Sequence, residues 1–443
     1  MGLMRIPYTD PLPAPRIIPA TASSFGGAVA ALSDFLAADL RKQRPRVGLE
    51  NGQTHRWQAG KVPNGRTVLL TGAGISVASG LADYRGENGT YTLNKLYRPI
   101  YYHEFVANHE ARKRYWARSF LGWTNLENAR PNAAHRAVGK LGQLSILSSV
   151  ITQSMNVLFI YTCLCLALVA WSYVCRCHWM TYTSSQTDVD SFHPKAHPQL
   201  PTIELHGYLR SLVCLTCRNE YPRSTFQVEL SRLNPPWDAF LQEMLASGAL
   251  TTEDPEERRA KGLRTNPDGD VDVQGVDYSS FRYPACPTCL SDVKTGKLSL
   301  LPNGDRARID LDDDGAWLPT SNVAILKPAV IMFGENISDM VKRAAETAVD
   351  EADRILIVGS SLATYSAWRL VKQAKDRGMP IGMLNLGGVR GEDAFFEGIP
   401  PSNSGSLAVR CSQKSDILLP EVIKVIEELK GFQSHRASTP GQK

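Results

Sequence analysis

The chain has 443 residues, 43% hydrophobic and 21% charged, a globular composition with room for one large domain, a smaller one and terminal tails. A formal charge of +5 without basic blocks does not imply a nucleic-acid or anionic-membrane footprint, and no direct nucleic-acid partner is expected, though charge does not decide the partner. Nine cysteines, four of them in two Cys-x-x-Cys pairs, are too few for a secreted disulfide scaffold and point to a reducing compartment.

Residues 1–65 are rich in Pro and Ala and read as a leader followed by a first amphipathic helix over 25–40. There is no apolar h-region of a secretory signal; Arg5, Arg16, Arg41, Arg44 and Arg46 suit a mitochondrial presequence, against Asp10, Asp34 and Asp39. Thr67-Val68-Leu69-Leu70 is a short apolar strand running into Thr71-Gly72-Ala73-Gly74-Ile75-Ser76. Ile355-Leu356-Ile357-Val358 ends likewise at Gly359-Ser360-Ser361, and Ile381-Gly382-Met383-Leu384 at Asn385-Leu386-Gly387. With helical segments at 339–351 and 367–376 between them, these strands predict an α/β fold with a Rossmann-like parallel sheet covered on both faces. The Gly/Ser/Asn clusters then fall at the carboxyl ends of strands, where such sheets bind ligands. Residues 208–320, with the Cys pairs and a polar stretch at 254–277, read as a small zinc-binding module inserted between two parts of the sheet domain, 66–207 and 321–430. The Ser/Gln/Lys-rich residues 431–443 read as a disordered tail.

At Gly72-Ala73-Gly74 the missing Cβ atoms let backbone amides approach a pyrophosphate at a helix start, although an ordinary strand-to-helix turn explains the same residues. Cys214, Cys217, Cys286 and Cys289 supply four thiolates for a closed tetrahedral zinc site, hence a structural one. Free buried cysteines or redox pairs are the alternative, and the long polar insert between the pairs argues against the latter. His206, in Glu204-Leu205-His206-Gly207, has no hydroxyl or thiol nucleophile at fixed spacing, so no triad is indicated, and a lone histidine is usually structural.

The continuation Ser76-Val77-Ala78-Ser79-Gly80-Leu81-Ala82-Asp83-Tyr84-Arg85-Gly86 resembles the NAD-binding segment of the sirtuins. Further motifs follow in that family's order: Pro131-Asn132-Ala133-Ala134-His135, Ile151-Thr152-Gln153, Val189-Asp190-Ser191-Phe192-His193, Ile203-Glu204-Leu205-His206-Gly207, Lys327-Pro328, Phe333-Gly334-Glu335 and Gly359-Ser360-Ser361-Leu362. The likeness covers roughly 66–425. Arg114-Tyr115-Trp116-Ala117-Arg118 and Asn266-Pro267-Asp268-Gly269-Asp270-Val271 are most similar to the class II branch, which is typically mitochondrial and favours a matrix location.

The resemblance implies an NAD-dependent protein-lysine deacylase that passes an acyl group from lysine to ADP-ribose and releases nicotinamide, with protein mono-ADP-ribosyl transfer as the alternative. It implies that His206 is the general base toward a ribose hydroxyl, a step suited to an imidazole titrating near neutrality, with His193 and His197 flanking the site. NAD contacts are implied at Gly72, Ala73, Gly74, Ile75, Ser76, Asp83, Tyr84, Arg85, Tyr91, Gln153 and Asp190. On the ribose and adenine side they are implied at Gly359, Ser360, Ser361, Asn385, Leu386, Gly387 and Cys411. Phe333, Gly334 and Glu335 match the strand edge along which an acyl-lysine peptide lies. Tyr115 and Arg118 resemble the Tyr-x-x-Arg pair that grips the carboxylate of acidic acyl groups through a bidentate fork, so branched or acidic acyl groups are expected over acetyl; a solvated basic helix face is the alternative. A monomer is expected.

Members of that family run from the Gln directly to Asn-Val-Asp, whereas here residues 154–188, which include Cys163, Cys165, Cys175 and Cys177 and an apolar run at 157–174, separate Gln153 from Val189. A membrane span needs about that many apolar residues, but it would pull a strand end and a site loop out of the core, so no membrane partner is expected. If Ser154-Met155 is encoded AGT-ATG and Thr187-Asp188 ACA-GAY, the segment begins and ends as an intron does, and its removal restores Gln-Asn-Val-Asp in frame. Residues 154–188 are therefore read as translated intron, a reading that sequencing of the spliced transcript checks. With the segment retained the motif lacks its Asn, and a catalytically impaired NAD-binding protein becomes the further alternative.

Overall fold

The computed structural model describes residues 11–38, 66–93, 97–154, 200–248, 263–265, 270–273, 275–400 and 402–437. Asp190, His193, His197 and all but the first residue of the 154–188 stretch lie outside them. The strands in chain order are β1 (Thr67–Thr71), β2 (Leu147–Thr152), β3 (Thr202–Glu204), β4 (Gly207–Cys214), β5 (Glu220–Pro222), β6 (Leu263–Thr265), β7 (Val271–Val273), β8 (Leu326–Val330), β9 (Arg354–Val358), β10 (Ile381–Leu384) and β11 (Ala408–Cys411).

Six of them form one parallel sheet in the order β11-β10-β9-β1-β2-β3. Every residue of β1, β9, β10 and β11 is buried, which is why these strands read as unbroken apolar runs. Their side chains alternate between two cores. Leu69, Leu356 and Val358 face helices Phe25–Leu36, Ala133–Gln143 and Ser415–Ala437, while Val68, Leu70, Ile355 and Ile357 face helices Asp339–Asp350 and Tyr365–Asp376. From β1 the chain moves outward through β2 to β3, and from β9 it moves the other way through β10 to β11. Strand order thus reverses between β1 and β9, and the crevice outside their carboxyl ends is the switch point where such sheets take their ligands.

A second lobe is built on the antiparallel sheet β5-β4-β8 and the hairpin β6-β7. Its limits differ from the 208–320 expected. Helix His109–Asn128, capped by Asn108 accepting from the Ala111 amide at 3.1 Å, belongs to this lobe, because its Trp116 and Phe120 pack on Phe226 and Phe281 at 4.6 and 5.7 Å between ring centroids. At the other end β8 extends the lobe to Val330. Both termini are also more integrated than expected. Ile18 pairs with Arg410 of β11, helix Phe25–Leu36 lies in the main core, and the last helix continues past Gly431 to Ala437. Among the described residues no helix is long and apolar enough to cross a membrane.

Candidate functional site

At the switch point the loops after β1 and β9 are pressed together. A Cβ on Gly72 would lie 2.6 Å from the Gly359 carbonyl oxygen, and one on Gly359, whose φ is +62°, would lie 2.5 Å from the Ile75 nitrogen. The glycines therefore serve a loop-to-loop contact. The Gly72 and Gly74 amides donate to the Val358 and Gly359 carbonyls at 3.1 and 2.9 Å, so these two amides are engaged within the protein and not directed outward as the sequence alone suggested. Small residues continue both loops: Ala73 after Gly72, and Ser360 and Ser361 after Gly359. Ile75 and Ser76 are buried, where Asn132 holds the Ile75 carbonyl at 2.8 Å and Ser76 Oγ meets His135 Nε2 at 3.4 Å. Two glycine loops meeting at the switch point of a parallel sheet fit a dinucleotide site.

Gln153, just past β2, ties three strand ends together. Its Nε2 donates to the Thr71 carbonyl at 3.2 Å and to Ser360 Oγ at 2.7 Å, and its Oε1 accepts from Thr364 Oγ1 at 3.1 Å. His206 lies on the seam between the lobes, between the end of β3 and the start of β4. Its carbonyl accepts from Ile331 N at 2.8 Å, and Gly207 turns the chain at φ +72° where a Cβ would meet the Ala329 oxygen at 2.1 Å. The imidazole is 6% exposed, with Nε2 2.8 Å from Ser366 Oγ in the first turn of helix Tyr365–Asp376. Ser366 was not singled out in the sequence; its position just beyond the Gly359-Ser360-Ser361 cluster was the only signal.

The expectation of an imidazole titrating near neutrality is not met. Burial pushes His206 down to about 4, opposed by a hydrogen bond with the Gln153 backbone. Burial likewise pushes His109 and His135 down to about 4, aided by Lys113 and Arg112 around the first and by Arg136 near the second. All three are neutral in the folded chain, whereas unfolded they take up a proton near the ordinary value of 6.5. Their contribution to stability is therefore complete above that value and is lost as pH falls toward 4. Urea midpoints should drop through this window with a slope of up to about 1.4 kcal/mol per pH unit for each histidine; a flat profile overturns the assignment of neutral rings.

Asp83, Tyr84, Arg85 and Tyr91 form one cluster. Asp83 Oδ1 accepts from the Gly86 amide at 3.0 Å and organises the turn, and burial raises its carboxyl above the usual range. Tyr84 stacks on Tyr91 at 5.8 Å, and the Arg85 guanidinium lies 5.4 Å over the same Tyr91 ring. Farther along, Phe333 is fastened by its carbonyl to the Tyr102 amide at 2.8 Å, and Gly334 turns at φ +83°. The Glu335 carboxylate faces inward, bonded to the buried Lys327 Nζ at 3.0 Å and to the Met332 amide at 2.9 Å, so it braces this edge and is not presented to a ligand. Tyr115 is buried edge-on against Trp116 and Phe105. Arg118 is buried too, 2.6 Å from Asp270, which rules out the solvated helix face.

On the β10–β11 side, Cys411 departs from the expected cofactor contact. Its thiol is wholly buried, points toward the Ala28 carbonyl 4.0 Å away and is pushed by burial up to about 12. The loop of Asn385, Leu386 and Gly387 is held from beneath by a pair that sequence reasoning missed. Arg410 donates from Nε to Glu392 Oε1 at 2.8 Å, from Nη1 to the Asn385 and Cys411 carbonyls at 2.6 and 2.7 Å, and from Nη2 to the Gly387 carbonyl at 2.7 Å. Both side chains are 0% exposed. An arginine in the otherwise apolar strand Ala408-Val409-Arg410-Cys411 was the available clue. Glu392→Ala leaves that guanidinium buried without its counterion and should cost about 3–5 kcal/mol in urea unfolding; a loss within the ordinary surface range of about 0.5 kcal/mol overturns this role.

In the second lobe Cys214, Cys217, Cys286 and Cys289 converge with their sulfurs within 4.8 Å of one another. The closest approaches, 3.6 Å for Cys214–Cys289 and 3.7 Å for Cys217–Cys286, match the separation of about 3.8 Å that tetrahedral Zn–S bonds of 2.3 Å require. Tyr221 Oη reaches Cys286 Sγ at 3.0 Å and Thr288 Oγ1 at 2.7 Å. The donor set fits a structural zinc ion.

Switch-point crevice and thiolate-braced lobe together define an α/β nucleotide-binding protein with a structural metal centre. Comparison with known proteins makes this specific: the Sir2 family model matches residues 72–164 and 177–366, its break falling inside the anomalous stretch. The chain belongs to the Sir2 family. It is 36% identical over 338 residues to the NAD-dependent protein deacylase SIR4 of Batrachochytrium dendrobatidis, covering 74% of this chain and 84% of that protein. It is 31% identical over 358 residues to an NAD-dependent protein deacetylase of Bordetella bronchiseptica, 81% of this chain and 93% of the other. It is 30% identical over 329 residues to the NAD-dependent protein lipoamidase sirtuin-4, mitochondrial, of Bos taurus, 74% of this chain and 76% of the other. A solved Sir2 enzyme aligns with TM-score 0.45 and 19% identity over 90% of this chain and 98% of its own.

Proposed function

We propose that this chain is an NAD-dependent protein-lysine deacylase whose reaction centre lies between the switch-point crevice and His206. The observation that carries the reading is the neutral, buried imidazole at the seam of the lobes, next to Gln153, whose side chain ties the end of β1 to the loop after β9. NAD, when bound, supplies the electrophilic ribose carbon, nicotinamide as leaving group and ADP-ribose as acceptor of the acyl group. Ala73, Ser360 and Ser361 would border its phosphates and ribose, with Gly72 and Gly74 letting the two loops approach; Asn385, Leu386 and Gly387 would take the adenosine side, and Asp83, Tyr84, Arg85, Tyr91 and Gln153 the nicotinamide side. His206 is neutral at physiological pH and takes a proton at the nitrogen that faces Ser366, while the Gln153 backbone bond fixes the ring. The acyl-lysine peptide lies along the edge of β8 and Phe333-Gly334 through backbone contacts, a mode that reads little of the peptide's sequence.

The enzyme works in the mitochondrial matrix; the name of the bovine relative supports this, as do Arg5, Arg16, Arg41, Arg44 and Arg46 set against Asp10, Asp34 and Asp39, and fractionation of the native protein tests it. Incubation with NAD and acyl-lysine peptides tests the activity. Equal amounts of nicotinamide and O-acyl-ADP-ribose are expected. ADP-ribose appearing on a protein side chain instead would establish mono-ADP-ribosyl transfer. Running the assay on the forms with and without residues 154–188 decides whether that stretch impairs the enzyme.

A further inference from the structure

A buried ion pair lies at the edge of the second lobe, away from the zinc ligands. Arg118, on helix His109–Asn128, has Nη2 2.6 Å from Asp270 Oδ2, and the two side chains are 8% and 9% exposed. Asp270 immediately precedes β7, which packs on that helix. Aromatic rings connect the pair to the nucleotide side of the molecule. The Arg118 guanidinium stands 5.8 Å from the Tyr97 ring, Tyr97 is 5.7 Å from Tyr91, and Tyr91 is 5.8 Å from Tyr84 in the Asp83-Tyr84-Arg85 turn. Arg118 therefore sits at the far end of a ladder that begins where the nicotinamide side is proposed to lie.

A guanidinium in this place attracts a carboxylate-bearing acyl group only while its charge is available. Here Asp270 already neutralises it at contact distance. A second carboxylate would bring two desolvated anions to one cation, where like charges repel far more strongly than in water. A neutral acyl end meets no such repulsion. Among the described residues Asp270 Oδ1 also has no hydrogen-bond donor, so a neutral amide or hydroxyl on the acyl chain would satisfy a buried acceptor that a carboxylate cannot.

We propose that the Arg118–Asp270 pair ends the acyl pocket and that Asp270 sets its specificity: by occupying Arg118 it rejects acyl groups ending in a carboxylate and admits neutral ones. This reverses the acidic preference suggested by the Tyr115/Arg118 motif, and it rests on the deacylase reading above. The test uses the full chain and two matched peptides, glutaryl-lysine and its terminal-amide analogue, which differ only in the acid against the neutral amide. Wild type should favour the amide in kcat/KM by at least about tenfold, equivalent to 1.4 kcal/mol. Asp270→Asn should shift the acid-to-amide ratio toward the acid by at least about tenfold, and the same change in an Arg118→Met background should leave the ratio unmoved. A wild type that prefers the acid overturns the proposal whether or not the variants fold. So does an unmoved ratio in Asp270→Asn that keeps wild-type zinc content and thermal midpoint. Failure of both peptides and of acetyl-lysine to release nicotinamide would instead sink the deacylase reading itself.

Discussion

Replacing His206 by alanine is expected to lower kcat for nicotinamide-coupled deacylation by about 10²–10⁴-fold, the range associated with a positioned general base. NAD binding should change far less, because the Gly72–Gly359 loop contact and the side-chain bonds of Gln153 to Thr71, Ser360 and Thr364 do not involve the imidazole ring. Among the described residues His135 is the nearest rival, but it is wholly buried against Ser76 under the Ala73–Ser79 turn and belongs to the support of that turn. Removing the His206 ring also leaves Ser366 Oγ without its partner, a cost of about 1–3 kcal/mol, so kcat is to be compared at a temperature where both proteins are folded. An unchanged kcat with the fold intact would remove His206 from the chemistry.

The second large effect is expected from Cys286→Ser or from stripping the metal with a chelator. Binding free energies of structural zinc in small folds are about 10–16 kcal/mol; here the thiolate cluster shares the lobe with its own apolar core, so the loss should be several kcal/mol and confined at first to that lobe. Among the described residues, Trp116, Trp123, Trp237 and Trp317 lie in the core of this lobe and Trp368 packs against the sheet domain, so the fluorescence of these five largely reports on the lobe. An early fluorescence transition in urea should appear once the zinc is gone. Activity should fall with it, because Cys214 ends β4 and the other end of the same strand adjoins His206. A zinc-free variant with the wild-type urea profile would show that the ion does not hold the lobe.

Much of the site was legible along the chain. β1, β9 and β10 announce themselves as apolar runs because both of their faces are covered, and each ends in small polar residues because the chain must turn at the sheet's edge. The paired Cys-x-x-Cys spacing foretold the cluster, since two residues between thiolates is the distance at which one turn can point both at a single ion. The short edge strand β3 and the strands of the second lobe carry no such signature; β4, half-buried, and β8 are recognised only by what pairs with them. Helix His109–Asn128 could not be assigned to a lobe from its own residues, because its aromatic face would suit either core until Phe226 and Phe281 are brought to it.

By itself the sequence determined the parallel sheet, the glycine loops and the four-thiolate site, all of which rest on local period, local composition or short spacing. Only the tertiary structure decided the state of the charged and titrating groups. It lowered the His206 imidazole by burial, engaged Glu335 with Lys327, turned the Cys411 thiol into the core, set Arg410 on Glu392 and placed Asp270 on Arg118. The physical reason is that ionisation and pairing are set by desolvation and by distance to groups from remote segments, and neither quantity exists until the chain has folded.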